Sequence, residues 1–247
     1  KRVYFSAGHY LYAINANDGT VITSFGNNGK VDLRSGLGRD SSRLTVWATS
    51  PGVTFKDLLI QGTALGEGYD AAPGFVRAYN LKTGKIAWTF HTIPQPGEFG
   101  YDTWSENAYK EVGGTNSWAG MSLDEARGIV YIPTGSPAFD FYGGNRKGKN
   151  LFGNCLLAIE AGTGKLIWHY QLVHHDVWDY DLPAPPNLVT IVHGGKKVDA
   201  VEKKKKMGMV FVFNRETGEP IFPIEERPVP ASLLLGEEVW PTQPFPT

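Results

Sequence analysis

Short apolar strands alternate along this chain with turns that end in glycine, and one such unit returns four times. The units run Leu11–Gly19, Val76–Trp88, Leu156–Trp168 and Val210–Gly218. Each places an Asp-Gly or Thr-Gly corner after a strand, at Gly19, Gly84, Gly164 and Gly218. Glycine accepts positive φ without a Cβ clash, so the corner suits a tight hairpin. Alternation at Val76–Ala78 and Lys85–Ala87 fits strands, and nothing of length shows a helical period. Spacing between corners is uneven, which puts insertions between units. Repeated small antiparallel sheets predict an all-β fold of β-propeller blades, about four of them, too few to close most propellers. A β-sandwich competes, but two sheets give no reason for Trp88 and Trp168 to recur at the same place after the corner.

The pattern breaks at His174–Pro183, after the strand-like run Leu166–Val173. Ten positions there hold three acidic residues, two histidines and two aromatics. A core gains little from such charges, because a buried charge must be paired or coordinated. Carboxylates and imidazoles at a strand end, before a Pro-rich loop, suit proton transfer or a metal. A wet loop of ordinary hydrogen-bonded charges is the plain alternative. His174 and His175 make a poor metal pair, since neighbours on a strand point to opposite faces; one of them could orient the loop.

Composition narrows the classes. Hydrophobic residues at 41% and charged residues at 20% describe a globular chain, and a net charge of -1 leaves no electrostatic footprint for nucleic acid. No apolar run reaches the roughly 20 residues that span a bilayer. The chain opens in what reads as mid-strand, Val3–Ala7, and closes in a Pro-rich loop, so we expect part of something longer. The single Cys155 excludes an internal disulfide or cysteine cluster, and its neighbours Leu156, Leu157 and Ala158 suggest a buried thiol. Gly62–Gly68 has neither the helix nor the lysine of a phosphate-cradling loop.

The signature Ala-x-x-x-x-Thr-Gly-Lys-x-x-Trp, at Ala78–Trp88 and Ala158–Trp168, resembles the tryptophan-docking motif of pyrroloquinoline quinone (PQQ) dehydrogenases. Ser24–Leu33, Asn116–Trp118, His174–Pro186 and Pro241–Phe245 bring the resemblance nearest to the membrane-bound glucose dehydrogenase type. It covers essentially the whole chain. It implies that residues 1–247 form a single partial domain of an eight-bladed quinoprotein propeller, the other blades lying outside. The first and fourth units keep the corner without the Trp, with Phe25 and Phe222 further along.

The same resemblance implies a chemistry. PQQ is a flat ortho-quinone whose three carboxylates must be anchored while its ring is stacked and a carbonyl polarised. Asp179 falls at the family's catalytic base and beside its cation; from the residues alone, Asp176 and Asp181 remain rivals. Trp118 falls at the ring floor, in a loop-like Gly113–Ser117 setting, and Thr63 among the cofactor contacts. The cation is expected to be Ca²⁺, with Mg²⁺ as a substitute, held by oxygen ligands. Glu67 and Ser136 fall at its ligand positions, Ser136 where relatives have Asn or Thr. Lys206 falls where a cation contacts the quinone oxygens, stabilising negative charge during reduction. The preceding Glu202–Lys205 departs from an apolar family strand; of the lysines at 203–206, three are expected to be solvated, and register decides which. Gly143–Arg146 resembles a loop at the funnel mouth that touches substrate. Residues that bind the quinone carboxylates from other blades lie outside.

The expected function is oxidation of a sugar or other alcohol in the periplasm, with hydride transfer to PQQ and a respiratory quinone or cytochrome as acceptor. The absence of an adjacent cysteine pair favours a sugar or polyol over methanol. The alternative is a non-catalytic scaffold of the same blades, as in an outer-membrane assembly lipoprotein. Docking corners are common to both; Trp118, Asp179 and Lys206 together discriminate. An open half-propeller exposes a blade face, so the isolated chain is expected to be inactive.

Overall fold

A computed structural model describes residues 1–247, and strands make up nearly all of its regular structure. The first sheet is β1 (Arg2–Ala7), β2 (Tyr10–Asn15) and β3 (Lys30–Asp32), in that order. Then come β4 (Val46–Trp47), β5 (Val53–Phe55), β6 (Leu58–Gln61) and β7 (Ala64–Leu65), followed by β8 (Val76–Asn80) and β9 (Ile86–Phe90). β5-β6-β8-β9 form a four-stranded sheet, while β4 pairs with β7 beside it. β10 (Ser122–Asp124), β11 (Ile129–Pro133), β12 (Cys155–Glu160) and β13 (Leu166–Gln171) make the third sheet. The fourth has three strands, β14 (Asn187–His193), β15 (Lys196–Lys204) and β16 (Val210–Asn214); β17 (Ile224–Pro228) pairs with β18 (Thr242–Pro246). All pairings are antiparallel, and the one α-helix, α1 (Ala108–Glu111), is a single turn.

Sheets stack face to face, so the middle strands are buried on both sides. On β6, Leu59 packs toward the first sheet with Leu11, Phe25 and Tyr79, while its neighbour Ile60 packs toward the third with Trp88, Val130 and Leu157. Leu156 and Leu157 divide likewise on β12, Leu156 joining Tyr131, Trp168 and Phe213. Period-two alternation with two buried faces explains why these strands read as continuous apolar runs. Cys155 is fully buried there, and burial pushes its thiol pKa well up, as expected of an inert thiol.

The corners join the sheets. All four corner glycines are left-handed, at φ 75° (Gly19), 70° (Gly84), 77° (Gly164) and 73° (Gly218). The Trp88 indole lies against Gly164, where a Cβ would stand 2.7 Å from the ring, and its N–H donates to Ala161 O at 3.2 Å. Trp168 repeats this on Gly218, donating to Arg215 O at 3.2 Å. Each Trp faces an alanine across its strand pair, Ala78 and Ala158, beside a register shift that is the same in both units. At about 25 cal/mol per Å² over an indole's roughly 150–250 Å², each contact is worth about 4–6 kcal/mol at most.

Two units depart from the repeat. After Gly19 only Val21 bridges back to Ile14 before the chain loops out and returns as β3. Phe25 is fully buried, and Gly26 N–H donates to Thr83 O at 2.9 Å, so a backbone contact on the Gly84 corner stands in for an indole. In the fourth unit the returning strand is one bridge, Phe213 to Pro220. Pro220 and Pro223 lack the N–H groups that would continue a ladder, and Phe222 stays exposed.

The lysine run corrects an expectation. Lys203 and Lys205 are both buried, while Lys204 is turned to solvent and Lys206 is exposed to a lesser degree. Lys203 Nζ donates to Ala184 O and Lys205 Nζ to Leu172 O, the latter at 2.8 Å. Burial pushes both ammonium groups down to about 8. Alternation along β15 and its extension sends these two inward, where loop carbonyls solvate the ammonium in place of water.

Candidate active site

Loops between the strands build an open cleft of about 330 Å³. Its walls come from β4, β7 and the connections β4–β5, β7–β8, β9–β10, β11–β12, β13–β14 and β15–β16, so every sheet but the first and the β17–β18 pair contributes. Rigid sheets holding variable loops are a common way to bring distant residues together.

The side chains expected from the sequence converge here. Glu67, Trp118, Ser136, Asp179 and Lys206 all line the cleft. Thr63 does not: it is buried beneath, and its backbone carbonyl accepts from Asn116 Nδ2 at 2.9 Å. Lys206 Nζ sits 2.7 Å from Asp179 Oδ1 and 3.8 Å from Asp181 Oδ2. Burial opposes its charge, but those carboxylates outweigh burial and raise its pKa above the usual lysine value. Trp118 is oriented through its indole N–H, which donates to Asp181 Oδ2 at 3.0 Å, and its carbonyl accepts from Thr49 and Ser50 hydroxyls. Asp181 Oδ1 accepts from the Ser136 N–H at 2.7 Å, and a Cβ on Gly135 would stand 2.6 Å from that oxygen. Only glycine leaves room for the carboxylate there.

Strand β13 ends at Gln171, two residues before the apolar run does, and the chain enters the loop that carries the acids. Along it Asp179 and Asp181 face the cleft, while Trp178 and Tyr180 stack on each other at 5.7 Å and face an apolar hollow with Val173, Met207 and Phe245. Asp176 points inward and is fully buried; burial raises its pKa against the pull of its hydrogen-bond donors. His174 bonds Gln171 and Glu226, and His175 bonds Gly148 O, so neither imidazole reaches the cleft. Burial and the Arg146 charge push His175 down to about 4. Arg146 is buried under the cleft rather than at its mouth, with its guanidinium on the carbonyls of Asp176 and Phe139.

Asn116 and Asp140 also line the cleft; in the sequence Asn116 stands out only as part of the Asn116–Trp118 tripeptide, and Asp140, in the β11–β12 loop, carries no motif. Burial, then repulsion from Asp181, Asp179, Glu67 and Asp176, pushes Asp140 up to about 7. Four carboxylates thus line a cleft with one lysine, an excess of negative charge that suits a hard divalent cation. No three carboxylate or imidazole groups converge into a ready cage, so a cation there would draw further oxygens from a ligand or solvent.

The β-propeller domain family described as PQQ glucose/ethanol/alcohol dehydrogenase matches residues 1–247. The chain is 35% identical over 240 residues to a quinoprotein glucose dehydrogenase of Escherichia coli, covering 95% of this chain and 29% of that protein. It is 37% identical over 255 residues to quinoprotein glucose dehydrogenase A of Acinetobacter calcoaceticus, covering 95% and 30%. Among solved structures, a quinohemoprotein alcohol dehydrogenase from Comamonas testosteroni superposes with a TM-score of 0.78 at 26% identity, over 100% of this chain and 36% of that one. The chain thus spans about three tenths of the length of these curated relatives. Blades, corners and cleft together agree with these matches: the chain belongs to the PQQ-type glucose/ethanol/alcohol dehydrogenase β-propeller family.

Proposed function

We propose that this stretch supplies the base-bearing wall of the active site in a PQQ-dependent dehydrogenase of sugars, polyols or other alcohols. The observation that carries the reading is the Asp179–Lys206 pair, 2.7 Å apart in a cleft flanked by an anchored Trp118. PQQ, when bound, supplies the two-electron acceptor that takes hydride from the carbinol carbon. Asp179 accepts the hydroxyl proton of the substrate, so that the alcohol becomes a carbonyl. Lys206 holds positive charge where negative charge grows, and its raised pKa keeps it protonated near neutral pH. Trp118 offers a flat face whose tilt is fixed by Asp181.

Glu67 and Asp179 are the carboxylates that would hold Ca²⁺, or Mg²⁺ in its place, with Asn116 offering an amide oxygen. The Ser136 hydroxyl is already engaged with Asp176 at 2.5 Å, so it serves the cleft wall better than the cation. A scaffold gains nothing from crowding four carboxylates around one lysine. Action in the periplasm, with a respiratory quinone or cytochrome as acceptor, completes the proposal.

The test is oxidation of glucose, glycerol and ethanol by the full-length protein reconstituted with PQQ and Ca²⁺, followed with an artificial electron acceptor. PQQ-dependent turnover of at least one substrate class is the expected result. No turnover with any of them, in protein shown to be folded, contradicts the reading.

A further inference from the structure

We propose that Asp176, which touches neither cleft nor substrate, is the positioning residue that sets both Asp179 and, through Ser136, the orientation of Trp118. The inference rests on the reading of Asp179 as the base. Asp176 is 1% exposed, and its carboxylate accepts four hydrogen bonds. Oδ1 takes the Trp178 N–H at 2.9 Å; Oδ2 takes the Tyr180 N–H at 2.7 Å, Ser136 Oγ at 2.5 Å and Asn154 Nδ2 at 2.9 Å. A carboxylate is a pure acceptor with room for about four donors, so the group is saturated.

Two of those donors are the amides of the residues on either side of Asp179. Asp179 itself stands at φ 56°, in the left-handed region that a non-glycine residue occupies only where its surroundings over-determine it. The Asp176 carboxylate is the group that over-determines it. Arg146, itself fully buried and bonded to Asn150 Oδ1 at 2.9 Å, donates to the Asp176 carbonyl from below, so the residue is gripped at its backbone as well. The second arm runs sideways. Ser136 gives its hydroxyl to Asp176 and its N–H to Asp181 at 2.7 Å, and Asp181 accepts the Trp118 indole N–H at 3.0 Å. Base and ring platform therefore hang from one buried carboxylate, and a shift of either relative to the other needs that carboxylate to move. A displacement of about 1 Å at a reacting group costs on the order of a hundredfold in rate.

The test uses the full-length protein with Asp176→Asn, Ser136→Ala and Ser136→Thr. In cofactor-free protein, amide hydrogen exchange at Trp178 and Tyr180 is expected to rise at least about tenfold in Asp176→Asn, while the amides of β12 hold their rates. In the reconstituted enzyme, kcat is expected to fall about a hundredfold with KM changed less than about threefold. Ser136→Ala is expected to lose about tenfold in kcat and to shift Trp118 fluorescence; Ser136→Thr, which keeps the hydroxyl, recovers most of both. Unchanged exchange at Trp178 and Tyr180 in folded Asp176→Asn overturns the proposal. If Asp176→Asn does not fold, Ser136→Ala with unchanged kcat and unchanged Trp118 emission overturns it instead. An Asp179→Asn enzyme with full activity would remove the base reading, yet the exchange result would still judge the brace.

Discussion

Two tryptophans, Trp168 and Trp118, show how one side chain is put to opposite uses. Trp168 is 8% exposed, rests on the Gly218 corner and gives its N–H to a backbone carbonyl of the next sheet. Trp118 is half-buried and gives its N–H to the carboxylate of Asp181, which leaves the ring beside an open cleft. A backbone partner has no other state, so the corner contact only stabilises. An ionisable partner belongs to a network, so the orientation of Trp118 depends on the charges around it. On the proposed reading, the corner is stability placed outside the chemistry, and the cleft is chemistry held by a separate buried brace.

If that division is right, substitutions at the two places separate cleanly. The largest effect falls on Asp179→Asn. With Asp179 as the proposed general base, its loss costs about 10²–10⁴ in kcat, or roughly 3–5 kcal/mol of transition-state stabilisation. The melting temperature should stay within a few degrees, measured by scanning calorimetry alongside steady-state kinetics. A large fall in stability with it would erase the division.

Next comes Trp168→Ala, the mirror experiment. It empties the corner between the third and fourth sheets and should cost about 3–5 kcal/mol of stability by denaturant unfolding. PQQ affinity of the protein that remains folded should be nearly unchanged. A tenfold loss of affinity at equal folding would show that the corner reaches the cleft.

The smallest effect concerns Asp140 and sharpens the claim about charge. Its pKa in the folded chain is about 7, raised from 3.8. The folded state therefore holds that proton more tightly than the unfolded chain does. Its stabilising contribution is complete below pH about 4 and is lost as pH rises toward 7. Asp140→Asn cannot ionise, so relative to wild type it should gain on the order of 1 kcal/mol above pH 7, after discounting for the solvent the group still meets, and nothing near pH 4. Excess Ca²⁺ should remove most of that gain, since the cation relieves the same repulsion. Urea melts at pH 4 and pH 8, with and without Ca²⁺, decide it.

The fold was largely legible because its determinants are local. A Thr-Gly corner fixes a left-handed φ, alternation fixes which residues face which sheet, and Trp88 and Trp168 mark where one blade meets the next. Where those local signals weaken, the strands weaken too, as at Pro220. The cleft was legible only in part. Asp176, Asp179 and Asp181 could not be ranked from spacing, because what distinguishes them is direction: one points into the core and two into the cleft. Lys203 and Lys205 misled because their burial depends on carbonyls of Ala184 and Leu172, distant in sequence. Asp140 sits in a loop with no period, and only the closure of three sheets brings it near the other acids.

The most direct test of the central claim is quenching of tryptophan fluorescence by PQQ in the full-length protein, with and without Ca²⁺, for wild type and Trp118→Ala. The account predicts saturable quenching that requires Ca²⁺, with a dissociation constant raised about tenfold or more in Trp118→Ala as the loss of a stacked aromatic dictates. Equal affinity in both proteins, or binding indifferent to Ca²⁺, would contradict it.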